Sequence, residues 1–208
     1  MRCVIISGSP ECDVNFIKSA IRKDDYVICA DKGYQYAVQV GIKPDLFVGD
    51  FDSCDIKPDG DVETIALQTH KDDTDTMHAI DVALEKGYDD FLLLCAAGGR
   101  FDHTFANISA LQHIHQRGAF GLISSEKEVI EYISVGQKIY RNLRGITFSV
   151  FPFGCQSVCL SIDGAEYPLN KGTLESSIPM GISNVFNSDF AFVEIYDGNA
   201  IIVLNNNI

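Results

Sequence analysis

A chain of 208 residues with 46% hydrophobic side chains has room for one large or two small domains around buried cores. Its formal charge of −13, from 16 Lys and Arg against 29 Asp and Glu, excludes a surface built for nucleic-acid backbones or anionic membranes. No apolar stretch approaches the ~20 residues of a membrane-spanning helix and the opening Met1-Arg2-Cys3-Val4-Ile5-Ile6-Ser7 is too short for a signal-peptide core, so a cytoplasmic protein without a membrane segment is expected.

In chain order, apolar runs alternate with helical patterns, the signature of a mostly parallel sheet built through βαβ crossovers. Strands are expected at 3–7, 26–30, 46–49, 62–66, 91–95 and 121–124. Between the fourth and fifth, Met77, Ile80, Ala83 and Leu84 recur at helical spacing, with Thr74 as cap, Gly87 as stop and Asp72, Asp73 and Asp75 in the first turn. Phe105, Ile108, Leu111 and residues 112–114 suggest a second helix that starts near Asp102 and stops at Gly118. After about Ser125 the pattern changes to short β-branched and aromatic segments at 129–134, 145–153, 158–162, 190–196 and 200–204, separated by Gly, Pro and Asn turns. The expected fold is therefore an α/β domain over residues 1–125, Rossmann-like in its mostly parallel sheet, followed by an all-β sandwich over 126–208. Cysteines 3, 12, 29, 54, 95, 155 and 159 include no C-x-x-C pair, and Cys3, Cys29 and Cys95 fall in expected strands, so free thiols in a reducing cytosol are expected.

The richest stretch is Gly98-Gly99-Arg100-Phe101-Asp102-His103, directly after an apolar run. The diglycine permits close backbone approach to a ligand, Arg100 offers a planar fork for phosphate oxygens, and Asp102 suits a divalent cation or a hydroxyl. A tight turn with a surface ion pair explains the same residues. Asp50 and Asp52 follow a strand at spacing i, i+2, about 6.6 Å apart on an extended chain. Their repulsion of about 2.5 kcal/mol would be relieved by a cation. Lys71-Asp72-Asp73-Thr74-Asp75 precedes a helix, where acidic residues are favourable anyway, but it also brings Asp75 to the sheet edge of Asp50, Asp52 and Asp102. Asp31 ends the second strand, where nucleotide-binding sheets often place a ribose-binding acid. Ser7-Gly8-Ser9-Pro10 is neither a dinucleotide fingerprint nor a P-loop.

Taken in order, Ala30-Asp31-x-Gly33, Lys43-Pro44-Asp45-Leu46, Gly49-Asp50-Phe51-Asp52-Ser53, Thr74-Asp75, Gly98-Gly99-Arg100-x-Asp102-His103 and Gly181-Ile182-Ser183-Asn184 resemble the thiamin pyrophosphokinases. The resemblance implies an α/β nucleotide-binding domain followed by a β-sandwich that binds thiamin, usually in a homodimer with sites between subunits. It implies transfer of a pyrophosphoryl group from ATP to thiamin with Mg²⁺, giving thiamin diphosphate and AMP. Asp50, Asp52 and Asp75 would hold Mg²⁺ and the triphosphate, Arg100 would steady phosphate oxygens, and Asp102 would touch metal or the incoming hydroxyl. Asp31, Gly33, Lys71, Gly99 and His103 would serve the nucleotide. Tyr167, Ser183 and Asn184 would serve thiamin, although each also reads as a turn residue. Lys32 departs from a second glycine found in many relatives. A non-catalytic thiamin or nucleotide sensor, an Mg²⁺-dependent Asp-x-Asp phosphatase and a pterin-alcohol pyrophosphokinase are the competing readings.

Overall fold

The computed structural model describes residues 1–50, 58, 60–67 and 74–205. The chain divides into two compact units, Met1–Glu126 and Lys127–Ile208. The first carries β1 (Cys3–Ile6), α1 (Val14–Ala20), β2 (Tyr26–Ala30), α2 (Gly33–Gln39), β3 (Leu46–Gly49), β4 (Glu63–Ala66), α3 (Asp75–Glu85), β5 (Asp90–Leu94), α4 (Phe101–Gln116) and β6 (Phe120–Ser124). Its strands lie parallel in the order β6-β5-β1-β2-β3-β4. Such sheets are covered on both faces, which is why β1 reads Cys-Val-Ile-Ile without alternation and is buried throughout. Val4, Ile6, Val27, Cys29, Phe47, Leu92 and Leu94 pack with Ile17 of α1 and Tyr34 and Ala37 of α2. By pleat alternation Ile5, Ile28 and Leu93 face the opposite side, and α3 packs on β1, β2 and β3.

The chain runs outward from β1 through β2 to β4, then returns to β5 on the other flank of β1. The reversal creates a topological switch point between β1 and β5, and open α/β sheets bind ligands outside the strand ends at such points. Helix α3 is capped by the Thr74 side chain, which accepts from the Met77 N–H at 3.1 Å. Asp75 is its first residue, whereas Asp72 and Asp73 lie outside the described residues. Helix α4 buries Asn107, Ala110, Leu111 and Ile114, an i, i+3, i+4, i+7 stripe. Phe105, one of the residues that marks this helix in the sequence, lies off that stripe, two residues before Asn107, and is 51% exposed.

In the second unit, β7 (Glu128–Ile133), β9 (Thr147–Pro152), β12 (Asn184–Val185) and β14 (Ala200–Asn205) form one antiparallel sheet. The other is built from β8 (Gly136–Arg141), β10 (Ser157–Asp163), β11 (Leu169–Glu175) and β13 (Phe190–Asp197). Phe148, Val150 and Ile202 of the first share one core with Tyr140, Leu160 and Val193 of the second, with Phe148 stacked on Phe186 at 4.1 Å. Inside this unit Tyr140 donates to the buried Glu131 carboxylate, which also pairs with Lys138 at 2.9 Å.

The expectation of thiols throughout does not hold for Cys95, which is bonded to Cys12. Strand β5 stops at Leu94, and Cys95 turns out of it at φ +52 toward the segment after β1. Among the described residues Cys3, Cys29, Cys155 and Cys159 are thiols.

Candidate functional site

A cavity of about 450 Å³ opens at the carboxyl ends of β1, β2 and β5. One wall is the segment after β1, where Gly8, Ser9 and Pro10 line the space. That segment is fixed from both sides, since the Ser9 N–H donates to the Cys95 carbonyl and the Tyr36 hydroxyl donates to the Ser9 carbonyl, each at 2.9 Å. The second wall is Asp31 and Lys32, just after β2. Asp31 adopts φ +49, a left-handed conformation that costs a non-glycine residue about 1 kcal/mol, and its N–H is held by the Val48 carbonyl at 2.9 Å. Strain of this kind at a strand end is common in binding sites.

Gly33 stands behind that wall rather than in it. A Cβ there would lie 1.9 Å from the Ile6 carbonyl oxygen, so glycine is what lets α2 start against β1. Asp75 and Thr76 of α3 complete a third side, with the buried Thr76 hydroxyl 2.9 Å from that of Ser7. Asp50 directly follows β3 and is half-buried, on the same carboxyl edge as Asp31 but not on the cavity surface. Asp52 and Lys71 lie outside the described residues.

The fourth wall is the loop after β5 and the start of α4. Gly98 and Gly99 have φ +93 and +68, and both press on the segment after β1: a Cβ on Gly99 would meet Pro10 at 2.6 Å. The Gly98 N–H donates to the Thr104 hydroxyl and the Gly99 N–H to the Glu11 carboxylate, each at 3.0 Å. Arg100 occupies the cap position of α4, and with His103 it lines the cavity. Its guanidinium grips Asp102 in a two-point pair, Nε to Oδ1 at 3.1 Å and Nη2 to Oδ2 at 2.6 Å, with both side chains largely exposed. The hydrogen bond from Arg100 holds the Asp102 carboxyl below the usual carboxylate range, helped by the His103 N–H, and raises the guanidinium further. The surface ion pair is therefore formed, and the same arginine faces the cavity.

Negative Asp31 and Asp75 and positive Lys32 and Arg100 thus meet around one space on a helix start. Carboxylate oxygens are hard donors of the kind Mg²⁺ takes, and the cations suit phosphate oxygens. Among the described residues no group of three or more His, Cys, Asp or Glu side chains converges as metal ligands would.

In the second unit the structure brings Tyr167 and Asn184 together. The Asn184 side chain is buried, accepts from the Tyr167 N–H at 3.0 Å and donates to the Tyr167 carbonyl at 2.8 Å. Its amide is thus committed to holding the Tyr167 backbone, and the tyrosine ring projects outward, 66% exposed. Ser183 is exposed at φ +59, with its N–H bonded to the Ser149 hydroxyl at 3.1 Å.

Residues 17–120 match the family described as thiamin pyrophosphokinase, catalytic domain, and residues 136–198 match thiamin pyrophosphokinase, vitamin B1 binding domain. The chain belongs to the thiamin pyrophosphokinase family. It is 28% identical over 186 residues to the thiamine pyrophosphokinase of Bacillus subtilis, an alignment spanning 86% of this chain and 87% of that one. The crystal structure of thiamine pyrophosphokinase from Bacillus subtilis superposes with a TM-score of 0.88 at 23% identity over the full length of both chains. That from Geobacillus thermodenitrificans gives 0.86 at 22% identity, covering 99% of this chain and 97% of its own. Thiamin pyrophosphokinase from Candida albicans gives 0.82 at 18%, covering 98% and 89%. These likenesses establish the fold.

Within this family member, several residues that build the site carry no motif. Asn107 is buried and donates to the Ala96 carbonyl at 2.7 Å, fixing the turn that leads into the diglycine. Thr104 closes that turn onto α4. Tyr36 and Ser9 tether the opposite wall. The one sequence signal for Asn107 is a polar residue on the inward stripe of an otherwise apolar helix face.

Proposed function

We propose that this chain transfers the pyrophosphoryl group of ATP to the hydroxyl of thiamin, giving thiamin diphosphate and AMP. The observation that carries the reading is the tandem match, in order along one chain, to the catalytic and the vitamin B1 binding domains of thiamin pyrophosphokinases. The first unit is then a Rossmann-like nucleotide domain, and the cavity at its switch point takes the triphosphate. Asp31, Lys71 and His103 contact the nucleotide and Gly33 and Gly99 shape the backbone around it, while Asp50, Asp52 and Asp75 would hold Mg²⁺. When bound, that ion neutralises phosphate charge.

Attack of the thiamin oxygen falls on the β-phosphorus and AMP leaves. A loose transition state asks chiefly for alignment and charge neutralisation. The Arg100 fork supplies both once it turns from Asp102 to phosphate oxygens, and the N–H groups at the start of α4 add their dipoles. Asp102 is a poor proton acceptor while Arg100 depresses its pKa, so its role is to hold the fork before the nucleotide arrives and, once released, to touch metal or the incoming hydroxyl. In the second unit Tyr167 offers a ring to the cationic thiazolium, its backbone held in place by Asn184, and Ser183, the residue before Asn184, offers a hydroxyl. We propose further that the protein is a cytoplasmic homodimer with its sites between subunits. The exposed Phe101 and Phe105, 79% and 51% accessible, support an interface near α4.

The test is the nucleotide product formed from ATP, Mg²⁺ and thiamin. Thiamin-dependent AMP, lost in Asp52→Asn, is the expected result. ADP with thiamin monophosphate would place attack at the γ-phosphorus, and phosphate release without thiamin would replace the reading with a phosphatase.

A further inference from the structure

We infer that Cys12 and Cys95 form a reversible thiol–disulfide couple, open to low-molecular-weight disulfides and dithiols, that sets the affinity of the cavity for nucleotide phosphates. The inference rests on the reading of that cavity as the ATP site. The two residues are 83 apart in sequence, yet their Cα atoms lie 4.9 Å apart, within the ordinary span of a disulfide. Each sits at the root of a cavity wall. Cys95 lines the cavity just before residues 96–99, and Cys12 follows Pro10 and Glu11. The bond therefore ties the segment after β1 to the loop after β5.

Its consequence runs through Glu11. That carboxylate accepts the Gly99 N–H at 3.0 Å, at the glycine turn beside the start of α4 where an incoming phosphate would seek the same donor. A carboxylate there competes with a triphosphate for the N–H and repels it. The disulfide one residue further on pins Glu11 in place. When the bond opens, Glu11 is no longer held at its next residue and yields the N–H.

Proximity singles out this pair: Cys155 and Cys159 are also partly exposed, but among the described residues only Cys12 and Cys95 are bonded to each other. Cys95 is 7% exposed and Cys12 is half-buried, and both line a narrow crevice with Phe16 and Ser125. Cys3 and Cys29 are fully buried, and burial, with the charges of Asp25 and Asp45, pushes the Cys3 thiol up to about 12. In oxidation the Cys12 thiolate attacks one sulfur of a small disulfide RSSR, whose S–S bond breaks and releases RS⁻. The Cys95 thiolate then attacks the Cys12 sulfur of the mixed disulfide and expels the second RS⁻. Two protein thiols are oxidised and one small disulfide is reduced to two thiols, with the protons taken up by the released thiolates. A dithiol reverses the sequence, attacking first at the more exposed Cys12 sulfur.

The experiment treats the full chain with oxidised glutathione or with dithiothreitol, reads the redox state by differential alkylation and mass spectrometry, and measures ATP binding with Mg²⁺ by calorimetry. The expected result is a Cys12–Cys95 crosslink in the oxidised sample, with ATP bound roughly tenfold more weakly than in the reduced one. Cys12→Ser should bind ATP equally after either treatment, and Glu11→Gln should recover most of the lost affinity while still forming the crosslink. Failure of the crosslink to form, or equal ATP affinity in both states, overturns the inference and leaves the ATP site standing. Absence of ATP binding in both states overturns the site reading, and the inference with it.

Discussion

Arg100 and Asp102 show how one residue pair holds two meanings at once. In the structure they neutralise each other on the surface, and the arginine still faces the cavity. A lysine at position 100 keeps the charge but loses the planar fork, so Arg100→Lys should lower kcat/KM by roughly tenfold to a hundredfold in steady-state assays. Asp102→Asn should behave differently. A carboxylate held low by a guanidinium is already ionised and weakly basic at neutral pH, so kcat should fall by less than about tenfold and the profile from about pH 6 to 9 should lose no limb. Loss of an ascending limb in that range would make Asp102 the proton acceptor after all. The motif residues Asp31, Asp75, Arg100 and His103 were legible in the sequence because their types and order carry chemistry. Asn107, Thr104 and Ser9 were not, because their partners in the site include backbone groups, and no spacing rule reports which carbonyl or N–H a side chain will meet.

Among elements, the inner strands of the parallel sheet were readable from their apolar runs, whereas the edge strand β4 reads Glu-Thr-Ile-Ala and is mostly exposed, and α3 was readable from its cap and period. Helices α1 and α2 escaped because each spans only seven residues, too short for a period to emerge, and the large side chains that α2 buries are tyrosines. Strand β8 escaped for another reason: its exposed Gly, Gln and Arg give no alternation. Helix α2 also contains the tightest steric requirement of the site. Gly33→Ala would drive a methyl group into the Ile6 carbonyl, separating α2 from β1 and dislodging the Asp31 wall. Little soluble protein is expected, and what is recovered should melt early by circular dichroism. Gly41→Ala is the proper comparison, since its positive φ faces open space and the change should cost only about 1 kcal/mol.

For the whole molecule, the ion pair of Arg2 with Asp25 at 2.6 Å joins the start of β1 to the segment before β2, with the carboxylate 2% exposed. Burial by itself would raise the Asp25 pKa, but hydrogen bonds from Arg2 and the Arg22 N–H outweigh it and hold the carboxyl below its ordinary value. A carboxyl depressed on folding contributes stability above its unfolded pKa of about 3.9, and that contribution disappears as pH falls through the folded value. Urea unfolding should therefore show stability falling below about pH 4, with a shallower fall in Asp25→Asn. Arg2→Ala, which strands the carboxylate, should cost about 3 kcal/mol at pH 7. The order β6-β5-β1-β2-β3-β4 has one more result, which concerns synthesis on the ribosome. Strand β1 gains its β2 neighbour early, but its other edge stays unpaired until Asp90–Leu94 has left the exit tunnel. Until then the nascent chain carries an open apolar edge, a template for wrong partners. The position that later borders the cavity is thus, during translation, the place where aggregation would begin.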